Sequence, residues 1–366
     1  MPPVTVLVLA PALAADAGPL ERALDAARTA LAEHHRTAFL AAGADRVVVR
    51  REPPDDTPFG ARLRRLAEEL RPAGLVVLGA GALPLATAAD RRAFVEAAAA
   101  GIPGALANHR YSADIVAIAR AGGVLRDLPD LPSDNALPRW LAEAAGLTVR
   151  DLAGRRHLAM DLDSPLDVLL LDGVDGVPQL PTPDDGAATR VRASLAALRA
   201  LARDPGAELL VAGRTSATDL RWVERNTRSR TRAFLEERGL RTATAGAILG
   251  RPNRRAPRSV LGMLLDRDGP GSLGAHVAAL GDGALIDSRV LLAHRLGADE
   301  RAWPAAEDRF GSDLLLPDRI GDPWLRALTT AAADAPVPIL LGGHSLVGPG
   351  IRLALRAGRS GRTGRT

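Results

Sequence analysis

Three short runs of Val and Leu, "VTVLVLA" (4–10), "RVVVR" (46–50) and "GLVVLGA" (74–80), constrain the first half of this chain most. Each is followed by a longer amphipathic stretch, at 19–42, at 59–71 and from Thr87 to about Ala100. Short apolar runs suit buried strands, and longer amphipathic runs suit helices that cover them. The alternation therefore predicts βαβ units on a mostly parallel sheet. Aromatic residues make up only 3% of the chain, so the core must be built from Leu, Val and Ala, which suits helices packed on such a sheet.

At 366 residues the chain has room for two cores. The spacing predicts a further strand at 104–108, a helix at 135–146 and an extended stretch at 147–152. Residues 173–187, "GVDGVPQLPTPDDGA", are rich in Gly, Pro and Asp and read as a linker. The expected organisation is an α/β domain over 1–172, the linker, a second α/β domain over 188–355 and a basic tail over 356–366. In the second half the pattern predicts a helix at 188–203, a strand at 207–213 and a long helix at 217–238. It then predicts a strand at 260–266, helices at 272–280, 285–296 and 322–333, and a strand at 337–343.

There is no cysteine, which excludes disulfides, thiolate metal sites and cysteine nucleophiles. There is no lysine either, which excludes a Walker-type phosphate loop and a Schiff-base lysine. Phosphate contacts must then come from Arg, His, backbone N–H groups or a metal. The net charge of +4 is small for this length, and nucleic acid is not an expected partner. No apolar run reaches the roughly 20 residues of a membrane span. The N-terminus lacks the basic region of a signal peptide. The expectation is a cytoplasmic protein without a membrane partner.

"HLAMDLDSPLDVLLLDG" (157–173) sets Asp161, Asp163, Asp167 and Asp172 in an apolar run. Carboxylates are costly to bury unless something pairs with them. In an extended strand Asp161 and Asp163 would share a face, an arrangement suited to Mg²⁺. The bland alternative is a helix start: Ser164 or Asp163 as N-cap, Pro165 at the first helical position and Asp167 in the first turn. Asn108, His109 and Arg110 follow a candidate strand end, where parallel sheets place ligands. Asn135 and Arg139 flank a loop that leads into a helix. Arg214 and Ser216 lie between a strand and a helix, where anions bind helix N-termini. His344 and Ser345 follow two glycines after the last strand. Arg221, Arg225, Arg228 and Arg232 fall at helical spacing, with acidic neighbours that suggest a solvated face. Asp287, Arg289, His294, Asp308, Arg309 and Asp313 form a loose polar set, in which His294, Asp308 and Asp313 are a weak metal candidate.

"DLDSPLDVLLL" resembles the closing D-x-D-T-P-x-D-L motif of MobA-like NTP transferases. These include the molybdenum-cofactor guanylyltransferases and the phospholactate guanylyltransferases of deazaflavin cofactor synthesis. Asp163 occupies the metal-binding position before the Ser-Pro pair, with Asp161 beside it. "ARLRRLAEELRPAGLVVLGAGALPLATAADRRAFVEAA" (61–98) resembles the central segment of that family, in which a strand ends in D-x-P. Here the slot reads Ala82-Leu83-Pro84, so Ala82 stands where the family has a metal-binding Asp. The loop "APALAADAGPLERAL" (10–24) departs from the Gly-rich phosphate loop of the family.

Over roughly residues 1–175 the resemblance implies a GT-A-like three-layer domain. It also implies Mg²⁺ on Asp161 and Asp163, an NTP substrate and nucleotidyl transfer to a small phosphorylated acceptor. Two alternatives stand beside it. One is a non-catalytic descendant of that fold that binds a ligand or acts as a scaffold. The other is a hydrolase or sugar-modifying enzyme centred on the C-terminal half, with His344 or Asp287 as acid or base.

Overall fold

The computed structural model describes residues 2–52, 55–236 and 256–356. The chain is a mixed α/β protein that divides into two compact units. One comprises Met1–Ala17, Arg22–Leu162 and Asp172–Pro181; the other comprises Gly18–Glu21, Asp163–Leu171 and Thr182–Thr366. Residues 172–181, at the start of the expected linker, thus count with the first unit, and the second begins before it at Asp163.

The first unit runs β1 (Val4–Pro11), α1 (Pro19–Ala41), β2 (Arg46–Glu52), α2 (Phe59–Leu70), β3 (Gly74–Gly79), α3 (Ala88–Ala98), β4 (Ala105–Ala107), β5 (Ile115–Ala119), α4 (Ala121–Val124), α5 (Leu137–Glu143) and β6 (Val149–Asp151). Its six strands lie in the order β2-β1-β3-β5-β4-β6. β1 pairs in parallel with β2 and β3, and β4 in parallel with β6. β5 alone runs antiparallel, against β3 and β4.

The two-residue period of β1 sorts its side chains between two cores. Val4, Val6 and Val8 pack with Ala32 and Phe39 of α1 and with Phe94, Val95 and Ala98 of α3. Leu7 packs on the other face with Leu63 and Leu66 of α2 and with Leu137 and Leu141 of α5. α3 starts on a reciprocal capping box, in which Thr87 Oγ1 accepts from Asp90 N and the Asp90 carboxylate accepts from Thr87 N.

The second unit runs α6 (Pro165–Leu171), α7 (Asp185–Leu201), β7 (Glu208–Gly213), α8 (Ala217–Asn226), β8 (Arg230–Leu235), α9 (Val260–Asp268), α10 (Leu273–Leu280), β9 (Gly283–Asp287), α11 (Ser288–Leu296), α12 (Ala306–Asp313), α13 (Pro323–Ala333), β10 (Ile339–Gly342), α14 (His344–Val347) and α15 (Ile351–Leu355). Among the described residues its sheet is wholly parallel, in the order β10-β9-β7-β8.

Three expectations are corrected here. The long helix at 217–238 stops at Asn226, because Thr227 turns extended and the chain then enters edge strand β8. Arg228 and Arg232 therefore leave the helical arginine face, and residues 237–238 lie outside the described residues. The strand expected at 260–266 is helix α9, capped by Ser259, whose Oγ accepts from Gly262 N at 3.1 Å. The helix expected from 285 begins at Ser288, after the fully buried strand β9. Residues 357–366 of the expected tail lie outside the described residues. Among the described residues no helix is long and apolar enough to cross a membrane.

Candidate functional site

β1, β2, β3, β4 and β6 all point the same way, so their carboxyl ends form one edge. The strand order reverses at β1, with β2 on one side and β3 on the other. Open α/β sheets bind ligands outside such carboxyl ends.

The segment after β3 meets the aspartate run there. Ala82 forms an isolated antiparallel bridge with Asp161. Leu162 N donates to Gly81 O at 3.0 Å, and Leu83 N donates to Met160 O at 3.2 Å. The close pass requires a glycine at 81, since a Cβ would lie 2.9 Å from Asp161 Oδ1 and 3.0 Å from Leu162 O. Leu83 takes φ +55°, a strained left-handed conformation for a branched side chain, and is held there by full burial.

α1 supplies two polar groups to this place. Arg28 donates through Nε and Nη2 to Leu162 O at 2.9 and 2.6 Å. His35 is wholly buried, and its Nε2–H donates to Ala82 O at 2.8 Å. Burial pushes the His35 pKa down to about 3, so the ring is neutral. Neither residue was singled out from the sequence. The signal was there: Leu24, Arg28, Leu31, His35 and Phe39 continue one helical stripe in which polar residues replace apolar ones.

A second polar group gathers at the start of α3. The buried Asp90 carboxylate accepts from Arg155 Nη1 at 2.6 Å and lies 2.7 Å from His157 Nε2. Burial alone would raise its pKa. The bonds from Thr87, His157 and Arg155 outweigh that and hold it far below the usual carboxylate range. His157, missed in the sequence, stands beside "MDLD" in the same loop.

The donor set at Ala82 is poor in oxygen ligands for a magnesium ion. A hard divalent cation wants several oxygen ligands. Ala82 offers a buried methyl, and Asp161 Oδ1 accepts from Leu162 N at 2.8 Å. The Arg28 guanidinium is already close, with Nε 3.2 Å from the position of a Gly81 Cβ. Asp163 is exposed, and its N–H donates to Asp167 Oδ2 at 3.0 Å. Among the described residues no group of three or more His, Asp or Glu side chains is placed to hold a metal. Residue 82 therefore adds no carboxylate beside Asp161.

The other N-terminal candidates divide by how their polar atoms are used. Asn108 staples the turn after β4: Nδ2 donates to Asp114 Oδ2 and Leu158 O, both at 2.9 Å, and Oδ1 accepts from Asp114 N at 3.0 Å. His109 Nδ1 accepts from Tyr111 N at 3.1 Å, and burial lowers its pKa. Arg110 Nε and Asn135 Oδ1 are buried without a partner among the described residues. Arg139 lies partly buried on α5.

The second unit gathers its charges at the carboxyl ends of β7, β9 and β10. Arg214 clamps Asp287 through Nε at 2.6 Å and Nη2 at 3.1 Å. Gly213, at φ +130°, makes the approach possible, because a Cβ there would lie 2.3 Å from Asp287 Cβ. Burial would raise Asp287, but the charges of Arg214, His344 and Arg289 hold it below the usual range. Arg289 in turn clamps Asp313, with Nη2 2.6 Å from Oδ2. Burial still leaves Asp313 raised.

Ser216 is a helix cap: its Oγ donates to Asp219 Oδ2 and accepts from Asp219 N. Ser345 is buried and His344 exposed. Asp167 also serves a helix start, accepting from Ser164 N at 2.8 Å and Ser164 Oγ at 3.0 Å. Burial, with Asp163 and Asp313, pushes it to about 8. His294, Asp308 and Asp313 do not converge: His294 pairs with Asp266, Asp308 accepts from Gly321 and Asp322 N–H groups, and Asp313 is held by Arg289.

No family model matches the chain, and no curated protein matches it.

Proposed function

We propose that the N-terminal unit is a divergent, MobA-like nucleotidyltransferase domain of GT-A-like fold. It binds a nucleotide at the carboxyl edge of its sheet without carrying out metal-dependent nucleotidyl transfer. The observation that carries this reading is the Ala82–Asp161 bridge. The residue in the D-x-P slot lies against the aspartate run that resembles the closing motif, and it presents a methyl group there. A single buried antiparallel strand within an otherwise parallel sheet is also compatible with this fold. Arg28 supplies positive charge beside Asp161 where the resemblance implies a cation.

The test is thermal stability against GTP, ATP, CTP and UTP, each with and without Mg²⁺ or Mn²⁺. Binding to the native state raises the melting temperature by mass action. A shift with one nucleotide that is indifferent to metal is the expected outcome, and Ala82→Asp should make it metal-sensitive. A shift that requires Mg²⁺ in the natural chain, and is lost in Asp163→Ala, restores active nucleotidyl transfer to a small phosphorylated acceptor. No shift with any nucleotide removes the reading.

The second reading, a hydrolase or sugar-modifying enzyme, is favoured by one observation in the C-terminal unit. His344 bears electrostatically on the buried Asp287 at adjacent strand ends. An activity or ligand affinity that survives His344→Ala unchanged would remove it.

A further inference from the structure

The N-terminal unit buries a guanidinium to which, among the described residues, no carboxylate is hydrogen-bonded, although the Asp90 charge acts on it. Arg91, one turn into α3, is 4% exposed. Its Nη1 donates to Ala86 O at 2.7 Å, and its Cζ stands 6.0 Å from the centroid of the Phe39 ring. Nε and Nη2 have no hydrogen-bond partner among the described residues. These two nitrogens form one straight edge of the guanidinium, with parallel N–H bonds suited to both oxygens of an oxyanion. Elsewhere in this chain the same edge takes a carboxylate: Arg214 holds Asp287 that way, and Arg267 holds Asp268. The neighbouring Asp90 carboxylate is already engaged by Thr87, Arg155 and His157.

Two histidines of α1 lie within electrostatic reach of Arg91. The His34 and His35 ring centroids are 6.2 Å apart, and His35 lies 5.9 Å from Phe39. Because His35 Nε2 carries the proton given to Ala82 O, Nδ1 holds a lone pair, and it has no partner. His34 Nε2 also lacks one. Burial, reinforced by the Arg91 charge, lowers the pKa of both rings, so neither competes with Arg91 as a cation at neutral pH. Burying an ionised group without a partner is strongly unfavourable, and a bound counter-ion relieves it.

We infer that Arg91, His34 and His35 form an interior binding site for a small oxyanion, a carboxylate or phosphate group held by the free Nε/Nη2 edge of Arg91. The inference needs no nucleotide and does not depend on the reading of Ala82. Hydrogen phosphate can accept from Arg91 and also donate to a histidine lone pair, whereas acetate and sulfate only accept at neutral pH.

The experiment is calorimetric titration of the full chain with phosphate, acetate and sulfate against chloride at constant ionic strength, repeated on R91K. Lysine keeps the charge and loses the two-pronged edge. Saturable binding by the natural chain, weakened about tenfold or more in R91K, is the expected result. Preference for phosphate over sulfate would identify a hydrogen-donating oxyanion, and equal binding of acetate a carboxylate. No saturable heat, or equal affinity in R91K, overturns the site and leaves ordered water as the partner of Arg91. Should R91K not fold, ring-nitrogen NMR of the natural chain decides. The His34 and His35 signals, the former assigned with H34N, must move saturably with phosphate, and the proposal fails if both stay still.

Discussion

Both units end their parallel strands in polar loops, yet the clusters gathered around Arg214 and around Arg91 treat buried charge differently. At the strand ends of the C-terminal unit two arginines each meet a buried aspartate, Arg214 with Asp287 and Arg289 with Asp313. In the N-terminal unit the slot is a methyl, the histidine beneath it is neutral, and Arg91 has an unspent edge. Paired charges rigidify a site and leave few donors for a guest. Unspent donors at low exposure are costly in the absence of a guest. The contrast suggests that ligand chemistry is to be sought first where hydrogen bonding is incomplete, and not where charge is densest.

The sharpest way to break this contrast is to remove one member of a closed pair. Asp287→Ala leaves the Arg214 guanidinium facing a buried gap and removes the cap of α11. The expected loss is about 3–5 kcal/mol in urea unfolding. A loss below about 1 kcal/mol would mean that water already relaxes the pair.

Next in size is a pH effect at Asp167. Its pKa of about 8 in the folded state lies above the ordinary carboxylate value near 4. The folded chain thus holds a proton that the unfolded chain releases. The stability this group contributes is complete below about pH 4 and is lost as pH rises towards 8. Asp167→Asn keeps an acceptor for the Ser164 N–H. Relative to the natural chain, it should gain about 1–3 kcal/mol between pH 5 and pH 8. A flat difference across that range would place the Asp167 charge in water.

Asp90 has the opposite sign. Its folded pKa is depressed, so its stabilisation is present above about pH 4 and fades as pH falls. Asp90→Ala should cost about 2 kcal/mol near neutrality, and the cost should shrink in acid. The smallest effects compare like with like. Thr87→Ala and Ser216→Ala each remove a helix cap, one per unit, and each should cost about 1 kcal/mol.

What was legible in the sequence follows the physics of each element. β1, β2 and β3 are Val- and Leu-rich runs bounded by turns, and their strands appear where the pattern puts them. β5 was not foreseen, because its short run "IVAIA" follows so closely on the polar stretch 108–114 that the two read as one loop. β8 was hidden because Arg221, Arg225, Arg228 and Arg232 satisfy a helical spacing. The alternation of Arg228, Arg230 and Arg232 satisfies a strand equally well. α9 shows the reverse confusion: "VLGMLL" fits either state, and only the cap at Ser259 decides it.

At the candidate site, the adjacency of Ala82 and Asp161 could be anticipated only through the resemblance of two distant segments. The role of Asp167 in a helix start was readable from "SPLD" alone. His35, Arg28 and Arg91 were not legible as a group, because their meeting depends on how α1 and α3 lie on one face of the sheet.

The division of the chain at Leu162, followed by the return of Asp172–Pro181 to the first unit, has a practical consequence. The units are interleaved along the backbone, so no single cut yields either one whole. A fragment ending at residue 162 lacks a segment of its own unit, and one starting at residue 182 lacks α6. Gene dissection of this protein is therefore better done by point substitution than by truncation.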